Sequence, residues 1–344
     1  MIEIGNRRIG QGAPCLVVAE IGMNHNGDAA LAVEMVRSAA QCGADCVKFQ
    51  TFFAKHFVTR DALVYGEDSG NQPRTQVEML EPYELTEPAW AELKKTAEGE
   101  GLLFLSTPLD EPSVDLLESL GVEAFKIASC DVTNTPLIRR IAGLGKPAVL
   151  STGMSTLAEI ASAVDAFLAC GNDALALMQC TSSYPARIED AHLRVIPALA
   201  QTFGLPVGFS DHCRSNYAAF ASVALGASIV EKHFTVDHDL PGVDQKMSLD
   251  PGELADLVRG VRAVEAALGR PEKRVSAAEA AAREGGRRGL VAKRFIPEGT
   301  EITEDMITAK RPARGIPPVH VDLVVGRRAK RDIPEDAFLT WDLV

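Results

Sequence analysis

Six residues carry charge or a metal-binding lone pair at or near the ends of short β-rich runs: Glu20, Lys48, Lys126, His212, Glu231 and His233. Each has polar company. Asn24-His25-Asn26-Gly27 follows Glu20, Gln50 follows Lys48, and Ser106-Thr107-Pro108 closes the third run. Ser129 follows Lys126, Ser151-Thr152-Gly153 closes the fifth run, Thr181-Ser182-Ser183-Tyr184 follows the sixth, and Ser210-Asp211-His212 ends the seventh. A charge inside a strand is costly unless it is paired or meets a ligand. Two lysines, two glutamates and two histidines converging on one place read more readily as an active site than as a buried structural network.

The residue types define the chemistry on offer. Lys48 and Lys126 suit an anionic substrate, a carboxylate or a phosphate, and the hydroxyls of Thr107, Ser129, Ser151, Ser182 and Ser210 would surround it. Lys–Glu pairing inside the same site is the alternative and is compatible with the first. A Schiff-base lysine, as in an aldolase that needs no metal, is a further option. His212 and His233 end neighbouring runs, so their imidazoles could meet at one Mn, Fe, Co or Zn ion. Two hydrogen-bonded core histidines are the competing reading. Glu20 could hold a water on such an ion, and His25 and His238 are rival ligands. No Ser-His-Asp order, HExxH or Walker A loop appears.

These residues need elements to position them. The sequence predicts eight strands, at Leu16–Glu20, Cys46–Gln50, Leu102–Ser106, Ala124–Ile127, Ala148–Ser151, Leu175–Met178, Pro206–Ser210 and Ser228–Glu231. Amphipathic helical patterns run over Ala29–Cys42, Glu87–Gly101, Pro112–Leu120, Thr156–Cys170, Asp190–Phe203, Asn216–Leu225 and Pro251–Leu268. Glycines such as Gly43 and Gly226 stand where helices end and strands begin. This is the order of an α/β (β/α)8 TIM barrel, whose chemistry sits at the C-terminal strand ends. An open doubly wound sheet is the rival, but no GxGxxG follows the first strand. Asp61–Pro82 reads as a long loop. The barrel domain is expected over 1–268 and a linker with some helix over 269–286. A small, mostly β domain follows over 287–344, with runs at Leu290-Val291-Ala292 and Leu323-Val324-Val325.

Composition narrows the class. The chain has 344 residues, 46% of them apolar and 24% charged, enough for a large core. Its 47 acidic against 35 basic residues give −12, which disfavours non-specific nucleic-acid binding. The N-terminal dozen residues lack the apolar core of a signal peptide, and no apolar stretch is long enough to span a membrane. The 7 cysteines are scattered and form no CxxC, as expected of reduced thiols in a cytoplasmic protein.

Longer motifs carry a resemblance. AEIGMNHNGD (Ala19–Asp28), GADCVKFQT (Gly43–Thr51), FLSTPLD (Phe104–Asp110), FKIAS (Phe125–Ser129), KPAVLSTGM (Lys146–Met154) and CTSSYP (Cys180–Pro185) follow one another. GFSDH (Gly208–His212), ALGASIVEKHFT (Ala224–Thr235) and PGVDQKMSLDP (Pro241–Pro251) complete the barrel, and KRPARGIPP (Lys310–Pro318) and GRRAKRDI (Gly326–Ile333) mark the tail. The chain resembles the sialic acid synthase family of phosphoenolpyruvate-condensing nonulosonate synthases, with an antifreeze-like (SAF) C-terminal domain. The resemblance implies condensation of phosphoenolpyruvate with an open-chain N-acylated hexosamine, with C–O cleavage and release of phosphate. N-acetylmannosamine, giving N-acetylneuraminate, is the simplest acceptor. A 2,4-diacetamido-2,4,6-trideoxyhexose, giving legionaminate or pseudaminate, is the nearest alternative, and a non-catalytic sugar-binding barrel is the alternative of a different class.

The resemblance also implies residue roles. A divalent metal, usually Mn2+ with Mg2+ or Co2+ as options, would be held by His212 and His233, and Glu20 would orient or deprotonate a water. Lys48, Thr107, Lys126, Ser129, Ser151, Ser182 and Ser210 would surround phosphoenolpyruvate. Gln50, Asp131, Tyr184 and Asp244 would face the sugar. Arg311 would reach its N-acyl group from the C-terminal domain of a partner, in a homodimer with swapped C-terminal domains. Ser182 stands where the sialic acid type commonly has Asn, and Asp131 where many members have Glu.

Overall fold

Alternation along a strand sorts side chains between two environments, and here both are buried. In the computed structural model, which describes residues 1–64 and 75–344, the chain forms two compact units, Met1–Gly269 and Arg270–Val344. The first opens with a hairpin of β1 (Ile2–Ile4) and β2 (Arg7–Ile9). Eight parallel strands follow: β3 (Leu16–Gly22), β4 (Cys46–Thr51), β5 (Leu103–Pro108), β6 (Phe125–Ile127), β7 (Ala148–Ser151), β8 (Leu175–Cys180), β9 (Val207–Asp211) and β10 (Ile229–His233). Their order is β5-β4-β3-β10-β9-β8-β7-β6, and β6 lies beside β5 to close the ring. A helix follows every strand, from α1 (Ala29–Gln41) after β3. The short α2 (Ala54–Phe57) and α3 (Gln76–Leu80) precede α4 (Glu87–Gly99). Then come α5 (Glu111–Ser119), α6 (Thr135–Gly143), α7 (Leu157–Leu168), α8 (Val195–Phe203), α9 (Tyr217–Ala224) and α10 (Pro251–Leu268). The (β/α)8 expectation holds.

Local chemistry fixes the element ends. Asp28 accepts from the N–H groups of Ala30 and Leu31 at the start of α1, and Asp110 accepts from the Ser113 N–H at the start of α5. Thr156 with Glu159, and Asp250 with Glu253, form capping boxes on α7 and α10. Gly43 and Gly226 adopt φ of +84° and +97°, so each helix can turn back into the next strand without a Cβ clash. One residue set faces the helices, including Val17, Ala19, Val47, Phe49, Phe209 and Val230. The alternate set fills the barrel: Leu16, Val18, Cys46, Leu103, Leu105, Ala176, Met178 and Ile229. Ile2, Ile4 and Ile9 of the hairpin join this inner cluster and close its N-terminal end.

Several expectations need correction. The N-terminal hairpin and α6 were not anticipated, although Ile2, Ile4 and Ile9 alternate with polar residues. The helix expected over Asp190–Phe203 is broken, because His192 takes a left-handed φ of 45° between a 3-10 turn (Ile188–Ala191) and α8. The loop expected over Asp61–Pro82 contains α3, capped by Thr75, and the start of a 3-10 turn (Glu81–Tyr83), while its residues 65–74 lie outside the described residues. The C-terminal unit holds α11 (Ala280–Gly286) and an antiparallel pair, β11 (Gly289–Ala292) and β12 (Ile307–Lys310). Leu323-Val324-Val325 is not a strand: Leu323 ends a 3-10 segment (Pro318–Leu323), and Val324 turns into a core with Ile296, Ile302 and Ile333.

His25, a rival metal ligand in sequence, packs on the helix side against Phe49 and Trp90, with ring centroids at 6.1 and 6.4 Å. Its Nδ1 accepts from the Gly27 N–H at 3.1 Å, and among the described residues its buried Nε2 has no partner. Burial lowers its pKa to about 4, with the Asp28 carboxylate opposing. A base depressed in the folded state stabilises the fold above its unfolded pKa and loses that contribution as pH falls. From pH 6.5 to 4 the loss should reach about 3 kcal/mol. Urea unfolding of the wild type should show this acid slope and His25→Asn should flatten it; equal slopes would contradict the assignment.

Candidate active site

Strand register builds the site. Glu20 stands opposite Lys48 on β4 and opposite His233 on β10. Gln50 stands opposite Thr107, Cys180 opposite Ser210, and Ser210 opposite Glu231. Two residues before Glu20, Lys48 and Glu231, the same inward rows carry Val18, Cys46 and Ile229 of the inner apolar cluster. The barrel interior therefore changes from apolar to charged at its C-terminal end.

Lys48, Glu20, Glu231 and Lys126 form the charged floor, each less than a tenth exposed. Lys48 Nζ lies 2.9 Å from Glu20 Oε2 and 3.5 Å from Glu231 Oε1, and donates to Thr107 Oγ1 at 3.4 Å. Burial disfavours its charge, but the two carboxylates outweigh burial and raise its pKa. Glu231 accepts from Ser210 Oγ at 3.1 Å. Burial pushes its carboxyl upward, yet Lys126 and Lys48 together hold it well below the usual carboxylate range. Lys126 differs. It donates to Ser151 Oγ at 2.6 Å and reaches the Ile127 carbonyl at 3.5 Å, and it has no ion-pair partner among the described residues. Burial lowers its pKa, with Glu231 opposing. A buried ammonium held by a hydroxyl and a carbonyl is a ready partner for an incoming anion.

Two further hydroxyls, those of Ser129 and Ser182, lie against Gly153, two residues after Ser151. Ser129 Oγ accepts from the Gly153 N–H at 3.0 Å, while Ser182 Oγ is buried without a partner among the described residues. A Cβ on Gly153 would fall 2.3 Å from Ser182 Oγ and 2.9 Å from Ser129 Oγ, so glycine keeps this cradle open.

The two imidazoles lie at one edge of the mouth with ring centroids 5.4 Å apart. His212 Nδ1 donates to the Thr181 carbonyl at 2.8 Å, which leaves Nε2 with its lone pair. The Cys180 sulfur lies 4.0 Å from the same nitrogen as a second, longer contact. His233 Nδ1 is buried, has no hydrogen-bond partner among the described residues, and lies 3.6 Å from Asp244 Oδ2. Burial lowers the pKa of His233 and so preserves a neutral ring. Burial lowers the pKa of His212 too, but Cys180, the Thr181 carbonyl and Glu231 outweigh it and raise it. Nε2 of His212 and the ring of His233, beside Asp244 and Glu20, are nitrogen donors of the kind that suits a divalent cation once both rings are neutral. The other rival, His238, donates to the Ser248 carbonyl at 2.9 Å.

The remaining expected residues divide. Gln50 donates to Glu20 Oε1 at 3.4 Å, and the Tyr184 ring lies 4.2 Å from the His212 ring, centroid to centroid. Asp131 is buried beyond β6, accepting from Asn134 Nδ2 at 2.9 Å, and burial raises its pKa. Arg311 belongs to the C-terminal unit, where it is exposed after β12. Lys232 and Asp211 look equally catalytic in sequence but point the other way. They pair at 2.9 Å, and Lys232 also donates to the carbonyls of Cys213 and Ser215.

Two structural roles were missed in sequence. Glu231 was visible at a strand end, but only the closed barrel brings its carboxylate to Lys48, 3.5 Å away, and near Lys126. Buried Gln245 donates to the Asn24 carbonyl at 2.8 Å, while Asn24 Nδ2 donates to the Phe234 carbonyl and Ser248 Oγ. Together they tie the loops after β3 and β10 and so steady Asp244. Replacing Glu231 by Gln keeps shape but removes the shared counter-charge, and should cost on the order of 3 kcal/mol of unfolding free energy. Denaturant unfolding checks this; a loss within about 0.5 kcal/mol would contradict it.

The NeuB family pattern matches residues 35–273 and the SAF domain pattern matches residues 287–344. The N,N'-diacetyllegionaminic acid synthase of Legionella pneumophila is 39% identical, over 97% of this chain and 95% of its own length. The human N-acetylneuraminate-9-phosphate synthase is 38% identical, over 98% and 95%. The crystal structure of the N-acetylneuraminic acid synthetase of Leptospira borgpetersenii serovar Hardjo-bovis, in complex with citrate, superposes with a TM-score of 0.74 at 34% identity, covering 81% of this chain and 93% of that one. With a barrel that carries its polar groups at the strand ends and a separate β-containing C-terminal unit, this chain belongs to the NeuB family and ends in a SAF domain.

Proposed function

We propose that the protein is a nonulosonate synthase that condenses phosphoenolpyruvate with an open-chain N-acylated hexosamine, N-acetylmannosamine in the simplest case. The observation that carries this reading is Lys126, a buried ammonium that is held by Ser151, backed by Glu231 and without an ion pair among the described residues, in a mouth that also carries an imidazole pair. That arrangement supplies an anion site and a carbonyl-activating edge in one mouth. The relatives share the reaction type in their names but differ in the sugar acid formed, and this supports the condensation more strongly than any one acceptor. The diacetamido-trideoxy sugar stands as the second acceptor on the same ground.

In this reading Lys126 and Lys48 neutralise phosphoenolpyruvate, Thr107, Ser129, Ser151 and Ser182 donate to its oxygens, and Ser210, which donates to Glu231, lines the same site. Held in place, its C3 bonds to the acceptor aldehyde carbon. Water adds to C2, and the C2–O bond to phosphate breaks, so phosphate leaves with its bridging oxygen. His212 and His233 would hold a divalent metal, Mn2+ or in its place Mg2+ or Co2+, which supplies Lewis-acid polarisation of the aldehyde oxygen. The Thr181 carbonyl orients the His212 ring, and the Asp244 carboxylate lies 3.6 Å from His233 Nδ1. Glu20, fixed by Lys48 and Gln50, takes the proton of the water that adds. Gln50, Asp131, Tyr184 and Asp244 face the sugar.

An exposed apolar rim supports a dimer in which a partner's C-terminal unit covers this mouth and brings Arg311 to the N-acyl group. Met154 is 70% and Tyr217 74% exposed, and Leu157, Tyr184 and Ile188 are exposed as well, all on loops or helix starts after β7, β8 and β9. The test is phosphate release from phosphoenolpyruvate with Mn2+ and a panel of N-acylated hexosamines, with and without EDTA. Metal-dependent release with one sugar is expected, and His233→Ala should lower it about a hundredfold or more. Full activity in EDTA would contradict the ligand role, and no release with any sugar would contradict the reaction.

A further inference from the structure

Asp244 reaches the imidazole edge on irregular chain. After β10 the backbone runs through residues 236–243 without helix or strand, then makes a 3-10 turn at Gln245–Met247 before α10. It returns with Asp244 Oδ2 at 3.6 Å from His233 Nδ1. Such a segment holds a carboxylate in place only as well as its own anchors are held.

The anchors are three buried polar side chains. Gln245, Thr235 and Asn24 are each no more than 1% exposed. Gln245 Nε2 donates to the Asn24 carbonyl at 2.8 Å and to the Pro241 carbonyl at 3.3 Å, and its Oε1 accepts from the Thr235 hydroxyl. Thr235 Oγ1 accepts in turn from the Asp237 N–H at 3.2 Å. Asn24 Nδ2 donates to the Phe234 carbonyl at 2.9 Å and to Ser248 Oγ at 2.8 Å. The Ser248 hydroxyl donates onward to the Asp244 carbonyl at 2.7 Å. Asp244 is thereby gripped twice, at its own carbonyl and through the residue that follows it. The fit is close: a Cβ on Gly242 would fall 2.9 Å from Asn26 Oδ1 and 3.2 Å from Gln245 Nε2. Apolar side chains would fill this volume without the cost of desolvating two amides and a hydroxyl. A satisfied polar network instead fixes a single arrangement of the chain segments that it joins, here the loop after β3, the end of β10 and the Asp244 turn.

We propose that Gln245, Thr235 and Asn24 are positioning residues for the imidazole edge: they hold Asp244 against His233, and the affinity of the two histidines for a divalent cation depends on them. The inference rests on the ligand role proposed above for His212 and His233. A fixed carboxylate beside one nitrogen of an imidazole sets the tautomer and the direction of the ring, so the other nitrogen is presented ready for an ion. With the clamp cut, binding must also order the Asp244 turn, and affinity falls by that cost.

The test is a titration of the metal-free, full-length protein with Mn2+, without phosphoenolpyruvate or sugar, read from the electron paramagnetic resonance signal of the free ion. Gln245→Leu and Thr235→Val should each raise the Kd about fivefold or more, and Asp244→Ala about tenfold or more. Thr235→Ser keeps the hydroxyl and should stay within about twofold of the wild type. In the Asp244→Ala background Gln245→Leu should add less than about twofold, because nothing is left to position. A clamp that served folding alone would weaken binding equally in both backgrounds, and that additive result would overturn the inference. So would a wild-type Kd in both Gln245→Leu and Thr235→Val, two variants that guard against a folding defect in either one. Absence of Mn2+ binding to the wild type would overturn the ligand role itself, and this inference with it.

Discussion

The site is organised by one buried carboxylate. Glu231 sits inside the barrel 3.5 Å from Lys48 Nζ, accepts from Ser210, and lowers the cost of burying Lys126 nearby. An isolated ammonium in such surroundings would lose its proton or open the structure to water. A network of this kind adds little stability compared with apolar packing, so its presence marks function. The surrounding architecture follows from the need to hold these groups still. Eight paired strands fix their spacing, and the apolar rows below exclude water from one side. The hairpin isoleucines close the far end of the interior. The charged layer thus has one opening to solvent, the end where the catalytic loops lie.

Within that layer the groups divide by element. β4, β5, β6 and β7 contribute Lys48, Thr107, Lys126 and Ser151, a face suited to an anion. β9 and β10 lead to His212 and His233, a face suited to a cation and a carbonyl oxygen. Glu20 on β3 stands between, opposite both Lys48 and His233 in register. This separation is what a condensation between an anionic enol and an aldehyde requires, because the two reactants must meet edge to edge with neither site blocking the other. The loops after β7, β8 and β9 leave apolar side chains exposed around this mouth.

Much of this was legible in the sequence because strands buried on both faces read as continuous apolar runs, and charged residues within them stand out. The run Cys46–Thr51 is legible in this way, with Lys48 in its middle. Register was not legible. Asp211 and Lys232 share sequence context with His212 and His233, yet the two-residue period of a strand turns them toward the helices, where they pair with each other. For the same reason Glu231 gained its role only once its opposite neighbours were known. The helix at Thr135–Gly143 is short and opens with Pro136, so it lacks a long amphipathic signature. At Leu323-Val324-Val325 a β-branched run gave a strand expectation that the Pro317-Pro318 turn and the burial of Val324 overrode.

The most direct test of the charged floor is calorimetric titration of phosphoenolpyruvate into the metal-free enzyme and into Lys126→Met, without sugar. The wild type should bind, and the variant should bind about tenfold or more weakly, since it loses one charge-assisted contact while keeping a similar side-chain volume. Equal affinity of the two proteins would contradict the account, because an anion that ignores Lys126 is not held by the buried network described for this barrel.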